Sequence, residues 1–334
     1  MKTSGIYFLA IMIACISCKP MNQSIGVREV YQYPTISSFK KKIVPDLNTM
    51  LSEPEQIFFI TATTDTILYG NQGTVISIQP SCLRTKSSIA YEGKITIHLK
   101  ELYTKQALLR ERAVTISNGS MLESDGSLYI DAQTETGEPL FIECENGIEI
   151  RLPRDVQNNM TYFNGVRDAS GNMNWQLSDS INPILEETYF IEAFDDFKNT
   201  EYYIEAGPSA QTYFFSTKTF GWINCDRFYD DPRDKTDLLA TFVLPDYEKN
   251  ITETYNYIVF DSLMTVLPIY LDDFGQWICP SLPVGETITC ISIQKSAQHL
   301  YCGIQKTEVG RLGLLVPLKE VNEQELKILL DLTL

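Results

Sequence analysis

Only two histidines, His98 and His299, occur in the 334 residues. A Ser-His-Asp or Cys-His site needs one of them as its base, and neither sits in a nucleophile motif. Two histidines so far apart also leave a histidine-based zinc site without a ligand pair. Positive charge is scarce as well: 27 Lys and Arg stand against 43 Asp and Glu, a formal net charge of −16, and the single basic run is Lys40, Lys41 and Lys42. So acidic a chain is repelled by phosphate backbones, which argues against nucleic acid as a partner, and the lysine run reads as a solvated stretch. Among the six cysteines from Cys82 onward no two show the Cys-x-x-Cys spacing of a metal or redox site. Nothing in the pattern calls for a cofactor or a metal. No apolar run reaches the roughly 20 residues that cross a bilayer as a helix.

What apolar run there is lies at the N-terminus. Lys2 precedes eleven apolar residues from Ile6 to Ile16, and the run stops at Ser17, Cys18, Lys19 and Pro20. That is a signal-peptide pattern, and a small residue directly before a cysteine is what a bacterial lipoprotein signal peptidase requires. The expected modification is acylation of Cys18. Cys15 offers a competing site inside the run, and an ordinary secretory peptide cleaved near Ser17 or an uncleaved anchor are the alternatives. Two or three acyl chains anchor stably, since each buried methylene contributes roughly 0.8 kcal/mol. Removal of residues 1–17 takes Lys2 and no acid, which leaves 26 basic and 43 acidic side chains. The expected location is the cell envelope, as an outer-membrane lipoprotein that is periplasmic or surface-exposed.

After this leader the chain reads as all-β. Lys94 to Lys100 alternates Ile95, Ile97 and Leu99 with Lys94, Thr96, His98 and Lys100, the rhythm of a half-buried antiparallel strand. Ile57–Ala62, Thr66–Tyr69, Thr74–Ile78, Val114–Ser117, Ser127–Ala132, Pro139–Glu143 and Ile148–Leu152 share its character, with turns expected at Gly70–Gly73, Asn118–Gly119, Asp125–Gly126 and Asn146–Gly147. A second set comprises Thr212–Ser216, Leu239–Leu244, Tyr257–Phe260, Val266–Tyr270 and Thr287–Gln294. One helix is expected at the end, capped by Asn322 with Glu325 three residues on. The expected organisation is a lipoprotein signal peptide at 1–17, a tether at 18–50, a first β-sandwich domain at 51–154, a β-rich bridging section at 155–205, and a second β-rich domain with the C-terminal helix at 206–334.

Candidate chemistry is sparse. His98 lies on the polar face of its strand, and His299 falls in a turn sequence. The acidic doublets Asp195–Asp196, Asp230–Asp231 and Asp272–Asp273 are weak acid/base pairs, because neighbours on a strand face opposite ways. The loop from Asp226 to Asp234 collects Asp226, Asp230, Asp231 and Asp234 with Arg227 and Arg233 between them. It reads either as a Ca²⁺ loop of low affinity or as an internally salt-bridged turn, and the arginines favour the turn. Of Trp175, Trp222 and Trp277, the last follows Asp272, Asp273 and Gly275, so Trp277, Asp272 and Asp273 form the candidate ligand-binding set: a ring to stack on a sugar, with acids for its hydroxyls. Six cysteines follow the leader, Cys82, Cys144, Cys225, Cys279, Cys290 and Cys302. Buried thiols and bridges are both open, and a bridge would be sought among the four after residue 220.

The stretches GTVISIQPSCL at 73–83, KITIHLKELY at 94–103, TISNGSMLESDGSLYIDA at 115–132 and GWINCDRF at 221–228 resemble an uncharacterised family of lipid-anchored β-sandwich lipoproteins typical of the Bacteroidota. The first body is also similar to the ZU5-type sandwich, which opens with a Gly-Thr-x-x-x-Ile-x-Pro strand; Pro80 matches and Gln79 departs from the simplest form. The resemblance implies a fold and a location and brings no catalytic residues. The expected function is a non-enzymatic structural or interaction module, anchored to the membrane by its N-terminal lipid and partnered by an envelope protein. The alternative is a glycan-binding surface lipoprotein using exposed aromatics, followed by a carboxylate-based hydrolase.

Overall fold

The strand Lys94–Leu102 behaves as its alternation demands: Ile95, Ile97 and Leu99 have no exposed surface. It pairs antiparallel with Gln56–Thr61 on one side and Ser120–Thr134 on the other. The computed structural model describes residues 45–153, 160–168, 171–178, 184–188, 191–193, 204–206, 210–245, 250–310 and 313–334. The leader at 1–17, Cys18, Lys40–Lys42, Asp195 and Asp196 lie outside the described residues, as do most of the expected tether and much of the bridging section. The fold is mostly β, built of several antiparallel sheets with one short C-terminal helix. No helix among the described residues is long and apolar enough to cross a membrane.

The first sandwich sets a seven-stranded sheet against a five-stranded one. In the larger sheet Gln56–Thr61, Lys94–Leu102, Ser120–Thr134, Gly221–Phe228, Thr161–Arg167 and Met173–Leu177 lie side by side, and the short strand Ile116–Ser117 adds to Ser120–Thr134. The smaller sheet runs Ile184–Thr188, Ala210–Thr217, Ile148–Leu152, Val75–Ile78, Thr66–Tyr69. Between them Ile76, Ile97, Ile130, Ile150 and Phe215 form one apolar core. The strand expected at Thr212–Ser216, at the head of the second body, therefore belongs by pairing to the first: as Ala210–Thr217 it seals Ile148–Leu152. Gly221–Phe228, which is not among the expected strands, sits between Ser120–Thr134 and Thr161–Arg167, because pairing partners are chosen by long-range burial.

Asn118–Gly119 turns a hairpin as expected, both residues having positive φ (48° and 83°). Asp125–Gly126 does not turn. It lies inside the 15-residue strand Ser120–Thr134, and a Cβ on Gly126 would stand 2.4 Å from the Tyr103 ring, so the glycine admits a close-packed aromatic instead of a reversal.

The second sandwich opposes Tyr270–Leu271, Trp277–Pro283, Lys235–Val243 and Leu314–Pro317 to a sheet of Val266–Pro268, Ile251–Phe260, Thr287–Ser296, Leu300–Glu308 and Lys319–Val321. Ile258, Phe260, Ile288, Cys290, Leu238 and Val316 fill the space between them. The opposite face of the five-stranded sheet is also covered. Tyr255, Tyr257, Val259, Ile291 and Ile293 join Leu47, Met50, Leu51, Leu108, Phe163 and Trp175 in a third core shared with the first sandwich. This explains why Ile288–Ser296 is buried at every position, on both sides of the pleat. Residues 47–51, placed at the end of the tether by sequence, are a helix whose apolar side enters this core. The C-terminal helix Glu323–Thr333 carries the anticipated capping box of Asn322 and Glu325 and buries Leu326 and Leu330 there.

The disulfide is elsewhere than expected. Cys82 is bridged to Cys144, Cα to Cα 5.0 Å, because the two-strand ladder of Leu83–Arg84 and Phe141–Ile142 brings their neighbours side by side. The four later cysteines are buried free thiols, each on a strand packed into a core.

Candidate functional site

The sequence-selected residues Asp272, Asp273 and Trp277 fall on one hairpin between Tyr270–Leu271 and Trp277–Pro283. Its tip closes with Asp272 N–H donating to Gln276 O at 2.8 Å and Gly275 N–H to Asp272 O at 3.0 Å, Gly275 taking φ 77°. The Asp272 carboxylate is engaged by its own turn: Oδ1 accepts from the N–H groups of Phe274 (2.9 Å) and Gln276 (2.7 Å). Asp273 is exposed, and Trp277 is half-buried, meeting Phe242 edge-on with ring centroids 5.9 Å apart. The ring offered to solvent is Phe274, 90% exposed at the tip. Sequence reasoning passed over it, although an aromatic between an Asp doublet and a turn glycine has no interior to enter.

Behind this hairpin the outer face of the four-stranded sheet is apolar. In Lys235–Val243, Leu238 and Ala240 face the core while Leu239, Thr241 and Val243 face out. Directly opposed residues share a face, so the register places Tyr270, Ile278 and Leu239 in one row across three strands. Leu315 stands beside Thr241, and Pro317 beside Val243. Leu315 is 62% exposed, and Tyr270, Leu239 and Val243 are each more than 40% exposed. The face thus exposes several large apolar side chains around Thr241, which suits a packing partner and supplies no reacting group.

The acidic loop resolves into separate structural roles. Asp226 is fully buried on Gly221–Phe228, and Arg227 donates from Nε and Nη2 to Glu123 Oε2 at 2.9 and 2.7 Å. Arg233 clamps Asp231 and reaches Glu286 at 2.7 Å, while the Tyr229 hydroxyl donates to Asp231 at 2.6 Å. Those contacts hold the Asp231 carboxyl well below the usual carboxylate range, and burial followed by the Asp231 hydrogen bond pushes the Tyr229 phenol up to about 12. This is the salt-bridged turn. Among the described residues no group of three or more His, Cys, Asp or Glu side chains is placed to hold a metal ion. An open cleft of about 550 Å³ lies alongside, lined by Glu123, Thr161, Arg227, Phe228, Tyr229 and Asp230 among others. Its one carboxylate–guanidinium couple is mutually satisfied.

The histidines are dispersed. His98, half-buried on the polar face of its strand, has Nδ1 2.9 Å from Glu55, and His299 lies at a hairpin turn 2.9 Å from Glu320. Neither faces a serine or cysteine nucleophile in these contacts. Trp175 is buried with its indole N–H on Val114 O, and Trp222 is half-buried beside Tyr129 and under the Arg167 guanidinium. The aromatic ring contacts among the described residues are tilted or edge-on, with no parallel stacked pair.

Set against known proteins, the chain matches no protein-family model, no curated protein and no solved structure.

Proposed function

We propose that the protein is a lipid-anchored cell-envelope protein that acts as an interaction module, anchored through Cys18 and binding a partner protein with the apolar outer face of its second sandwich. The observation that carries the binding role is the row Tyr270–Ile278–Leu239 with Leu315 and Val243 beside it. Apolar side chains gathered on one sheet face, rather than scattered singly, suit a protein partner. A protein surface is favoured over a glycan because the Asp272 carboxylate is committed to its turn and Trp277 packs against Phe242. The net charge of −16 argues in the same direction, against phosphate-rich partners. The anchor rests on the leader ending at Ser17 and Cys18.

Two measurements test the two halves separately. Mass spectrometry of the detergent-extracted protein is expected to find an acylated N-terminal Cys18, and an unmodified N-terminus at Lys19 or later refutes the anchor. In-cell crosslinking from a photoreactive residue at position 315 is expected to give one discrete adduct, lost when Leu239 is replaced by Asp. A crosslinking pattern that Leu239→Asp leaves unchanged refutes the face as a binding surface.

A further inference from the structure

The strand Gln56–Thr61 closes one side of the seven-stranded sheet, and among the described residues no strand pairs with its other side. Two hydrogen bonds fix which backbone groups face that open edge. Ala62 N–H donates to Gly93 O at 3.1 Å, so Ala62 and the alternate residues Ile60 and Phe58 point their backbone groups at Lys94–Leu102. Leu140 N–H donates to Ala132 O at 2.8 Å, which turns that carbonyl away from Ile97, so Ile97 offers its own groups to Phe58. Both observations leave the N–H and C=O of Ile57, Phe59 and Thr61 at the open edge.

Nothing blunts this edge. The strand reads Gln-Ile-Phe-Phe-Ile-Thr, without charge, proline, glycine or bulge, and Ile57 and Phe59 are 52% and 78% exposed. Native sheets normally protect such an edge. The second sandwich does so: Val266–Pro268 and Leu314–Pro317 end in proline, while Tyr270–Leu271 and Lys319–Val321 are very short. Phe58 packs against the core of the first sandwich yet is only half-buried, so a strand added here has core surface left to cover.

We infer that the edge is taken by a second copy of this chain: two Gln56–Thr61 strands pair antiparallel about a twofold axis at Phe58, joining two seven-stranded sheets edge to edge. The strand fits itself. With Phe58 opposite Phe58, each Ile57 lies opposite Phe59 of the second copy, and these are the residues whose backbone groups are free to exchange hydrogen bonds. That contact is an aromatic–β-branched pair, made twice by symmetry. The same register sets Thr61 opposite Glu55 of the second copy. Lys94, beside Thr61 in its own sheet, then stands two strands, about 10 Å, from that Glu55 on the same face, across one small residue. Each copy carries a net charge of −16 and repels the other at long range, but the paired strands oppose no like charges. The inference goes beyond the sheet-face reading and shares no residue with it.

Sedimentation equilibrium of the full chain in density-matched neutral detergent tests it. A reversible monomer–dimer equilibrium is expected, tightening as salt screens the net charge. Phe59→Asp, at an exposed position, should weaken the dimer roughly tenfold or more, while Leu315→Asp on the second sandwich leaves it intact. Amide exchange in the wild-type chain supplies a readout that needs no variant: the Ile57 and Phe59 N–H groups are expected to slow as concentration rises, and those of Phe58 and Ile60 to stay unchanged. A chain that is monomeric at every concentration overturns the inference and leaves the edge to a foreign strand. A dimer that Phe59→Asp does not weaken, or exchange at Ile57 and Phe59 that ignores concentration, overturns it as well.

Discussion

Asn224 donates its side-chain amide to the carboxyl of Asp226, two residues along the same strand and without exposed surface. Ser124 hydrogen-bonds the same carboxyl, Asp125 and Glu123 face it as further acids, and the nearby Arg227 is committed to Glu123. Desolvation dominates, so the Asp226 carboxyl is pushed well above its ordinary 3.8.

The sign of the resulting pH dependence follows. Above pH 3.8 the unfolded chain releases this proton while the folded chain keeps it, so the native state binds more protons and stability falls as pH rises from there toward the folded value. Asp226→Asn should leave the melting temperature unchanged near pH 3.5 and raise it increasingly from pH 5 to pH 8. A difference that stays constant over that range would falsify the assignment.

Glu101 is a buried side chain whose hydrogen-bond donors are all in place. It is 3% exposed and accepts from the N–H groups of Gln72 (2.9 Å) and Thr74 (3.0 Å), the Thr74 hydroxyl and the Gln56 amide, which ties the Gly70–Gly73 turn to the strand Lys94–Leu102. Glu101→Ala orphans those donors and should cost about 3 kcal/mol in urea unfolding. A Cβ at Gly70 would lie 2.6 Å from the Glu101 carboxyl. Gly70→Ala should therefore be strongly destabilising alone and much less so beside Glu101→Ala; strict additivity would show that the two do not touch.

The Cys82–Cys144 bridge spans 62 residues of chain, and loop-closure entropy puts its contribution at about 4 kcal/mol. Replacing both cysteines with alanine should lower the denaturant midpoint accordingly. Burial pushes the Cys290 and Cys302 thiols up to about 12, and Cys225 and Cys279 are raised by the same cause. At pH 8 the folded chain should thus react negligibly with a thiol reagent. Rapid native labelling at any of these four positions would contradict their burial.

Local pattern determined most of the strands. Lys94–Leu102, Thr66–Tyr69 and Ile148–Leu152 appear where alternation put them, and Asn322 and Glu325 cap the last helix, because each of these signals depends on residues two to four positions apart. The all-β class follows from the same short-range chemistry. The acidic loop was also legible as a salt-bridged turn, since Arg233 stands two residues from the Asp231 that it clamps.

Tertiary structure alone decided which strands pair, which cysteines meet, and which polar groups are buried. Gly221–Phe228 enters the first sandwich because its alternate residues, Ile223 and Cys225, complete that core. Cys144 reaches Cys82 across 62 residues because the ladder beside it was formed by burial of Leu83 and Ile142. Arg112 and Asn256 carry no sequence signature of where their side chains end up. What lays one guanidinium over a ring and leaves one buried amide without a partner among the described residues is the position of strands far away in the chain, and burial acts on the folded surface without regard to sequence distance.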